Sequence, residues 1–498
     1  MKFIYKAFIT LTLITLTLSS VSCANTFPEA SEPLLLSNLD GQNDHLSGIG
    51  QIYIGDRRYC TAFLLDTRDA HNNATGPAYI LTNAHCASIR VGTAVDTAYY
   101  GQMQFNYFHD TLAEARRYDI HKVKWASLAG SDIAILELNH DLATLIDDGI
   151  NPLKAAAIAP DEPRQVKVIG APSSAPGLRR STCTQEPADS TLIKYLAVHT
   201  RYQKQDCKGI EPGSSGSPVM DADTGEVTGV MSGTTYGIVA DDLCFWHGLC
   251  GTRESRSLLP DQASQSFPID YLLPCFNNGR FNIDALVCPL KPNFNFRTRS
   301  VTDIALHKAP FAPSEATPNW AMKFSMNTDF FRYKSVRDAQ TCYFPEHYSN
   351  PISTHSAVIN APIGREVGLY YLCMVGVDSA EQRLTARSLK NAQILSARLV
   401  SPVSIRLPEP APVINPGNED LLIEYRKNED RNIWTRVYAG PANTTDCSTI
   451  DPKNYSKIGD SFLVPNGALP LTLCSYTEDR NLSTSDVRTD DLPRPQAD

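Results

Sequence analysis

No CxxC pair occurs among the 13 cysteines of this 498-residue chain, which argues against a structural zinc site. No basic cluster interleaved with aromatics is present, so a nucleic-acid partner is not expected. Long runs of one charge are missing too. The formal net charge of −9 is spread along the chain without an acidic tail, and a balance that mild bears mainly on solubility. An apolar content of 42% with 20% charged residues excludes wholesale disorder. The length exceeds what one core organises and predicts about two to four domains.

The N-terminus is patterned. Lys2 and Lys6 precede an apolar run from Ala7 to Leu18, followed by small residues from Ser19 to Ala24. A charged start, a short apolar core and a small-residue end read as a signal peptide over 1–24. The run is too short for a comfortable membrane span, so the mature chain is expected to lack a transmembrane segment. Ser22 and Ala24 mark the cleavage site; the alternative makes Cys23 the lipidated first residue of a bacterial lipoprotein. A secreted or periplasmic protein, or one lipid-anchored through Cys23, is therefore expected. The other 12 cysteines are even in number, as a disulfide framework requires. They fall in neighbours: Cys60 and Cys86, Cys183 and Cys207, Cys244 and Cys250, Cys275 and Cys288, Cys342 and Cys373, Cys447 and Cys474. Proximity alone suggests these pairs, and Cys207 could instead reach Cys244 or Cys250.

After an N-terminal extension over 25–45, residues 46–290 alternate short apolar runs with turn residues, a rhythm of barrels or sandwiches. A short helix is expected around Ile269–Leu273. Residues 291–317 read as a linker. Two similar units follow, at 318–403 and 419–490, with Cys342 and Cys447 about 105 residues apart. A Pro-rich linker over 404–418 separates them, and 491–498 is a tail. Each unit reads as a small β-sandwich pinned by one disulfide.

Three segments carry chemistry. A serine hydroxyl needs a nearby base, the base needs an orienting carboxylate, and the oxyanion formed on attack needs aimed N–H donors. Tyr79-Ile80-Leu81-Thr82-Asn83-Ala84-His85-Cys86 runs a strand into a small-residue turn, then histidine and cysteine. Ser131-Asp132-Ile133-Ala134-Ile135-Leu136 opens a buried strand with an aspartate. Glu211-Pro212-Gly213-Ser214-Ser215-Gly216-Ser217-Pro218 places a serine between glycines and prolines. Alone, each has a plain reading: a stray histidine, a strand cap, a flexible loop. Together, in the order His, Asp, Ser, they resemble the TAAHC, DIALL and GDSGGP motifs of chymotrypsin-like serine proteases. The orders of α/β-hydrolases and subtilisins differ. The resemblance covers about residues 46–290. It implies a triad of His85, Asp132 and Ser215, an oxyanion hole from the N–H groups of Gly213 and Ser215, and a Cys60–Cys86 disulfide holding the histidine loop.

Ser214 stands where animal trypsins carry the aspartate that pairs with a newly cut N-terminus, and no Arg or Lys lies between Asn25 and Asp56. Activity without tryptic nicking is therefore expected, as in bacterial trypsin-like and glutamyl-endopeptidase relatives. The resemblance assigns the substrate pocket to Asp206, Met231, Ser232 and Gly233. Met231 replaces the histidine of many glutamyl endopeptidases, and Asp206 would favour basic substrates or simply lie at the surface. His199 could line the pocket or be a strand residue. Asn73, Asn443, Asn454 and Asn481 begin glycosylation triplets, relevant only in a eukaryotic secretory host.

The expected protein is all-β: a two-barrel chymotrypsin-like domain followed by two small disulfide-containing β-sandwiches. It is expected to be a serine endopeptidase acting on protein or peptide substrates, with no cofactor and no metal. The sandwiches would bind a substrate protein, a cell surface or a polysaccharide, or act as spacers. The rival readings are a catalytically inactive protease-like scaffold for adhesion or partner binding, and an esterase.

Overall fold

Short strands dominate the chain, and helices are few and brief. The computed structural model describes residues 28–87, 92–188, 191–194, 197–234, 250–253, 256–257, 263–290, 294, 296–298, 318–366, 368–399, 420–425, 433–458, 461–479 and 484–494. The expected signal peptide, Cys23, Cys244 and the Pro-rich linker lie outside the described residues.

An N-terminal strand β1 (Leu34–Leu35) precedes the first barrel. That barrel holds β2 (Ile49–Ile54), β3 (Arg57–Leu64), β4 (Pro77–Thr82), β5 (Thr93–Ala98), β6 (Gln102–Gln104), β7 (Arg117–Ser127) and β8 (Ile133–Asp141). Its order is β5-β7-β6-β2-β3-β4-β8, and a direct β7–β8 pairing closes a six-stranded ring with β5 outside it. The second barrel uses β9 (Arg164–Gly170), β10 (Arg179–Pro187), β13 (Gln203–Gln205), β14 (Pro218–Asp221), β15 (Val227–Thr234) and β18 (Ser264–Pro268). It runs β10-β13-β18-β15-β14-β9 and closes through β9–β10, with β1 added to β10. Beside it, β11 (Thr191–Lys194), β12 (Ala197–His199), β16 (Cys250–Arg253) and β17 (Arg256–Ser257) form a separate four-stranded sheet.

The unbroken apolar runs have a simple cause: their strands are buried on both faces. Ala62, Leu64, Ala78, Ile80, Ala134 and Leu136 point into the first barrel. Their alternating neighbours Phe63, Leu65, Tyr79, Leu81, Ile133 and Ile135 pack with Ile169, Val230 and Phe267 of the second barrel. The extension is part of this unit. Leu36 and Leu46 are buried in the same cluster, and Asp110 accepts the backbone N–H groups of Asn38 and Leu39. The short helix expected around Ile269–Leu273 is a 3-10 helix over Asp270–Cys275.

The first sandwich stacks the strands Ile352–Ser353, Phe330–Val336, Gly368–Val377 and Gln393–Leu399 against Phe296–Thr298, Met322–Met326 and Val358–Ile359. Phe294 and Phe296, within the stretch read from sequence as linker, are buried in its core. The second sandwich pairs a four-stranded sheet, Ser456–Ile458, Ile433–Pro441, Leu471–Asp479 and Arg488–Leu492, with Leu421–Glu424 and Ser461–Val464. Disulfides join Cys60–Cys86, Cys183–Cys207, Cys275–Cys288, Cys342–Cys373 and Cys447–Cys474. Cys207 thus pairs with Cys183. Among the described residues no helix is long and apolar enough to cross a membrane.

Candidate active site

Strand register brings the histidine to the aspartate. β4 and β8 run antiparallel with Thr82 opposite Ala134. His85, just beyond β4, and Asp132, just before β8, therefore emerge at one end of the pair. Asp132 is fully buried and the His85 ring is partly exposed, 0% against 27% of their side-chain surfaces. His85 Nδ1 lies 2.7 Å from Asp132 Oδ2, and the His85 backbone N–H donates to Oδ1 at 3.1 Å. Ser232 Oγ donates to Oδ2 at 2.7 Å. Asn83 Nδ2 donates to the Asp132 carbonyl at 2.8 Å, fixing the backbone beneath the carboxylate. A buried carboxylate is costly unless its oxygens accept hydrogen bonds, and here both do. An ionised carboxylate can only accept, so the neutral ring carries its proton on Nδ1 and keeps Nε2 as the basic nitrogen.

Ser215 joins this group through Ser232. The Ser215 hydroxyl donates to the Ser232 carbonyl at 3.2 Å, while the Ser232 side chain holds Asp132. The turn around Ser215 is cross-braced. Ser214 N–H donates to the Glu211 carbonyl at 2.9 Å, and Glu211 N–H returns to Ser214 Oγ at 3.3 Å. Ser217 Oγ donates to the Ser214 carbonyl at 2.6 Å. Gly213 has φ +97°, and a Cβ there would stand 2.4 Å from the Ser173 nitrogen. Gly216 has φ +92°, and its Cβ would meet the Thr61 carbonyl oxygen at 1.9 Å. Both positions therefore demand glycine. The N–H groups of Gly213 and Ser215 have no acceptor among the described residues.

Thr61 clamps the turn to the first barrel. Its N–H donates to the Ser215 carbonyl and its hydroxyl to the Gly213 carbonyl, both at 2.8 Å. Thr82 Oγ1 in turn donates to the Thr61 carbonyl at 2.8 Å. Sequence reading used Thr61 and Thr82 only as neighbours of Cys60 and His85; a hydroxyl in a buried strand was the available signal. The resemblance assigned Ser232 to the pocket; its side chain bonds the Asp132 carboxylate.

Met231 is fully buried with Val166, Cys183 and Val219 inside the second barrel. Gly233 is half-buried near the end of β15. Asp206 is exposed, and its Oδ1 accepts the Thr184 N–H at 2.8 Å. His199 is buried edge-on to Phe267, with ring centroids 4.9 Å apart. Around Met231 the barrel interior turns polar: Ser266 stands opposite it, and Gln185, Gln205 and Ser264 are buried nearby on the adjoining strands. Ligand atoms of Cys60, His85 and Cys86 lie within 4.8 Å of one another, but the two sulfurs are joined in a disulfide.

A sequence model of the trypsin-like peptidase domain matches residues 60–230. No curated protein sequence matches the chain. Similar solved structures include the inactive form of a serine-to-alanine mutant of Rv3671c from M. tuberculosis H37Rv, at 15% identity and TM-score 0.28, covering 45% of this chain and 83% of that one. The protease Anisep from Arthrobacter nicotinovorans is similar at 15% identity and TM-score 0.27, over 45% of this chain and 91% of that one. A two-domain fibronectin type-III segment of chicken tenascin aligns at 10% identity and TM-score 0.16, over 36% of this chain and 95% of that one. Residues 60–230 thus carry a trypsin-like peptidase domain, and the two closed six-stranded barrels fit the chymotrypsin fold.

Proposed function

We propose that the chain is a secreted serine endopeptidase in which His85, Asp132 and Ser215 form the catalytic triad. The observation that carries this reading is the bonded chain from His85 Nδ1 to Asp132 at 2.7 Å, on to Ser232 at 2.7 Å, and from Ser232 to Ser215 at 3.2 Å. In the proposed reaction the Ser215 hydroxyl turns from the Ser232 carbonyl toward His85 Nε2. Its oxygen attacks the scissile carbonyl while Nε2 takes its proton. Asp132 accepts from Nδ1 throughout and stabilises the imidazolium. The N–H groups of Gly213 and Ser215 receive the oxyanion. His85 then protonates the leaving amine, an acyl group remains on Ser215, and water activated by His85 releases it.

Ser214 fits activity without a trypsin-like N-terminal switch. Its side chain and carbonyl already brace their own turn. Five described disulfides accord with an extracellular or periplasmic site. The test is hydrolysis of peptide bonds in a denatured protein substrate by the wild type and by Ser215→Ala. Cleavage abolished in the variant supports the endopeptidase. Turnover of ester substrates alone supports an esterase, and a folded wild type inert to both supports a binding scaffold.

A further inference from the structure

The first sandwich packs on the catalytic unit at a telling place. Along the strand Gly368–Val377, Tyr370, Leu372 and Met374 face the sandwich core. The alternate residues Leu369, Tyr371 and Cys373 face outward, and there they share a buried cluster with Ile193 and Val198 of the β11–β12 hairpin. The 3-10 helix Ala339–Tyr343 lies in this contact. Gln340 Nε2 donates to the Thr200 carbonyl at 3.2 Å, and the Tyr343 hydroxyl is hydrogen-bonded to Thr200 Oγ1.

Tyr343 also reaches the aspartate loop. A Cβ on Gly130 would stand 3.2 Å from its hydroxyl oxygen. Gly130 pairs with His199 in a parallel bridge, beside Thr200. The next residue, Ser131, shares a 3.0 Å hydrogen bond with the Tyr271 hydroxyl, and the Arg201 guanidinium lies 5.6 Å over the Tyr271 ring. Gly130 and Ser131 lead directly into Asp132. On the histidine side, Thr93 Oγ1 donates to the Phe294 carbonyl of the sandwich at 2.6 Å. The segment bearing Tyr343 is itself fixed. Lys334 Nζ donates to the carbonyls of Thr341, Phe344 and Glu346 at 2.7, 2.8 and 3.0 Å, and Cys342 is tied to Cys373. A half-loose spacer would have no use for a nearly buried ammonium aimed at three carbonyls.

We infer that the first sandwich is an integral buttress of the active site, with Tyr343 a positioning residue that holds the Gly130–Asp132 loop through Thr200. The inference rests on the serine-protease reading of that site. It is tested with the full chain by inactivation kinetics with a fluorophosphonate, which phosphonylates a triad serine with loss of fluoride and needs no known substrate. Tyr343→Phe and Thr200→Val should each lower the maximal inactivation rate about tenfold, the effect of one lost hydrogen bond, with the reagent's half-saturation concentration unchanged. The double variant should be no slower than either single one, because both remove the same bond. Thr200→Ser, which keeps the hydroxyl, should restore the rate. Variants that label at the wild-type rate, with only a lowered melting temperature, would overturn the inference and leave the protease reading intact. A folded wild type that is not labelled at Ser215 would overturn both.

Discussion

The two C-terminal sandwiches are built alike and used differently. In each, a four-stranded sheet turns one face to its own core and places a disulfide on the other. In the first, that outer face is shared with Ile193 and Val198 of the β11–β12 hairpin. In the second, Cys447, Tyr455, Cys474 and Tyr476 cover one another, and the described hydrogen bonds stay within the unit. Equivalent positions show the change. Lys334 stands opposite Cys373, whereas Tyr438 stands opposite Cys474, with its ring tilted against that of Tyr455. Tyr343 follows Cys342 and meets Gly130, whereas Ser448 follows Cys447 and is exposed. Among the described residues, the disulfide face of the first module is thus shared with the β11–β12 hairpin, and that of the second is covered by its own residues.

This contrast orders the expected effects. The largest should arise in neither sandwich: Ser215→Ala should lower peptide hydrolysis by about 10⁴-fold or more while both sandwiches stay folded. Asp132→Asn should cost roughly 10⁴-fold, since the amide would favour the wrong imidazole tautomer. Ser232→Ala removes a hydrogen bond to a buried carboxylate and should lower kcat about tenfold with KM unchanged. Opening the Cys342–Cys373 disulfide by paired serine substitutions should lower activity several-fold, because it loosens the segment that meets Gly130; disulfide loss commonly costs about 2–5 kcal/mol. The matching Cys447→Ser and Cys474→Ser change should leave peptidase activity within about twofold, measured on the same substrate. Equal losses from the two disulfide variants would break the comparison.

Much of the two-barrel fold was legible because its constraints are local. Glycine at 213 and 216, histidine after a buried strand and aspartate before another are each written within a few residues of the element that positions them. The two-sided burial of β4 and β8 also shows directly as unbroken apolar text. Ser232 and Thr61 were harder. Their bonds cross the barrel interface, and nothing beside them in sequence announces Asp132 or Ser215. For Asp206 the sequence left a pocket role and a surface role open; the residue is exposed and its carboxylate bonds locally to Thr184. The buttress was invisible. It joins Gly130 to Tyr343 across more than two hundred residues, and Phe294 and Phe296 lie in text that reads as linker.

The account turns on Ser215 being the nucleophile. Intact wild-type protein treated with a fluorophosphonate, digested and read by mass spectrometry tests that most directly. A single adduct on Ser215, absent from Ser215→Ala, is the predicted result. A folded wild type without an adduct, or one modified at a different serine, would contradict it.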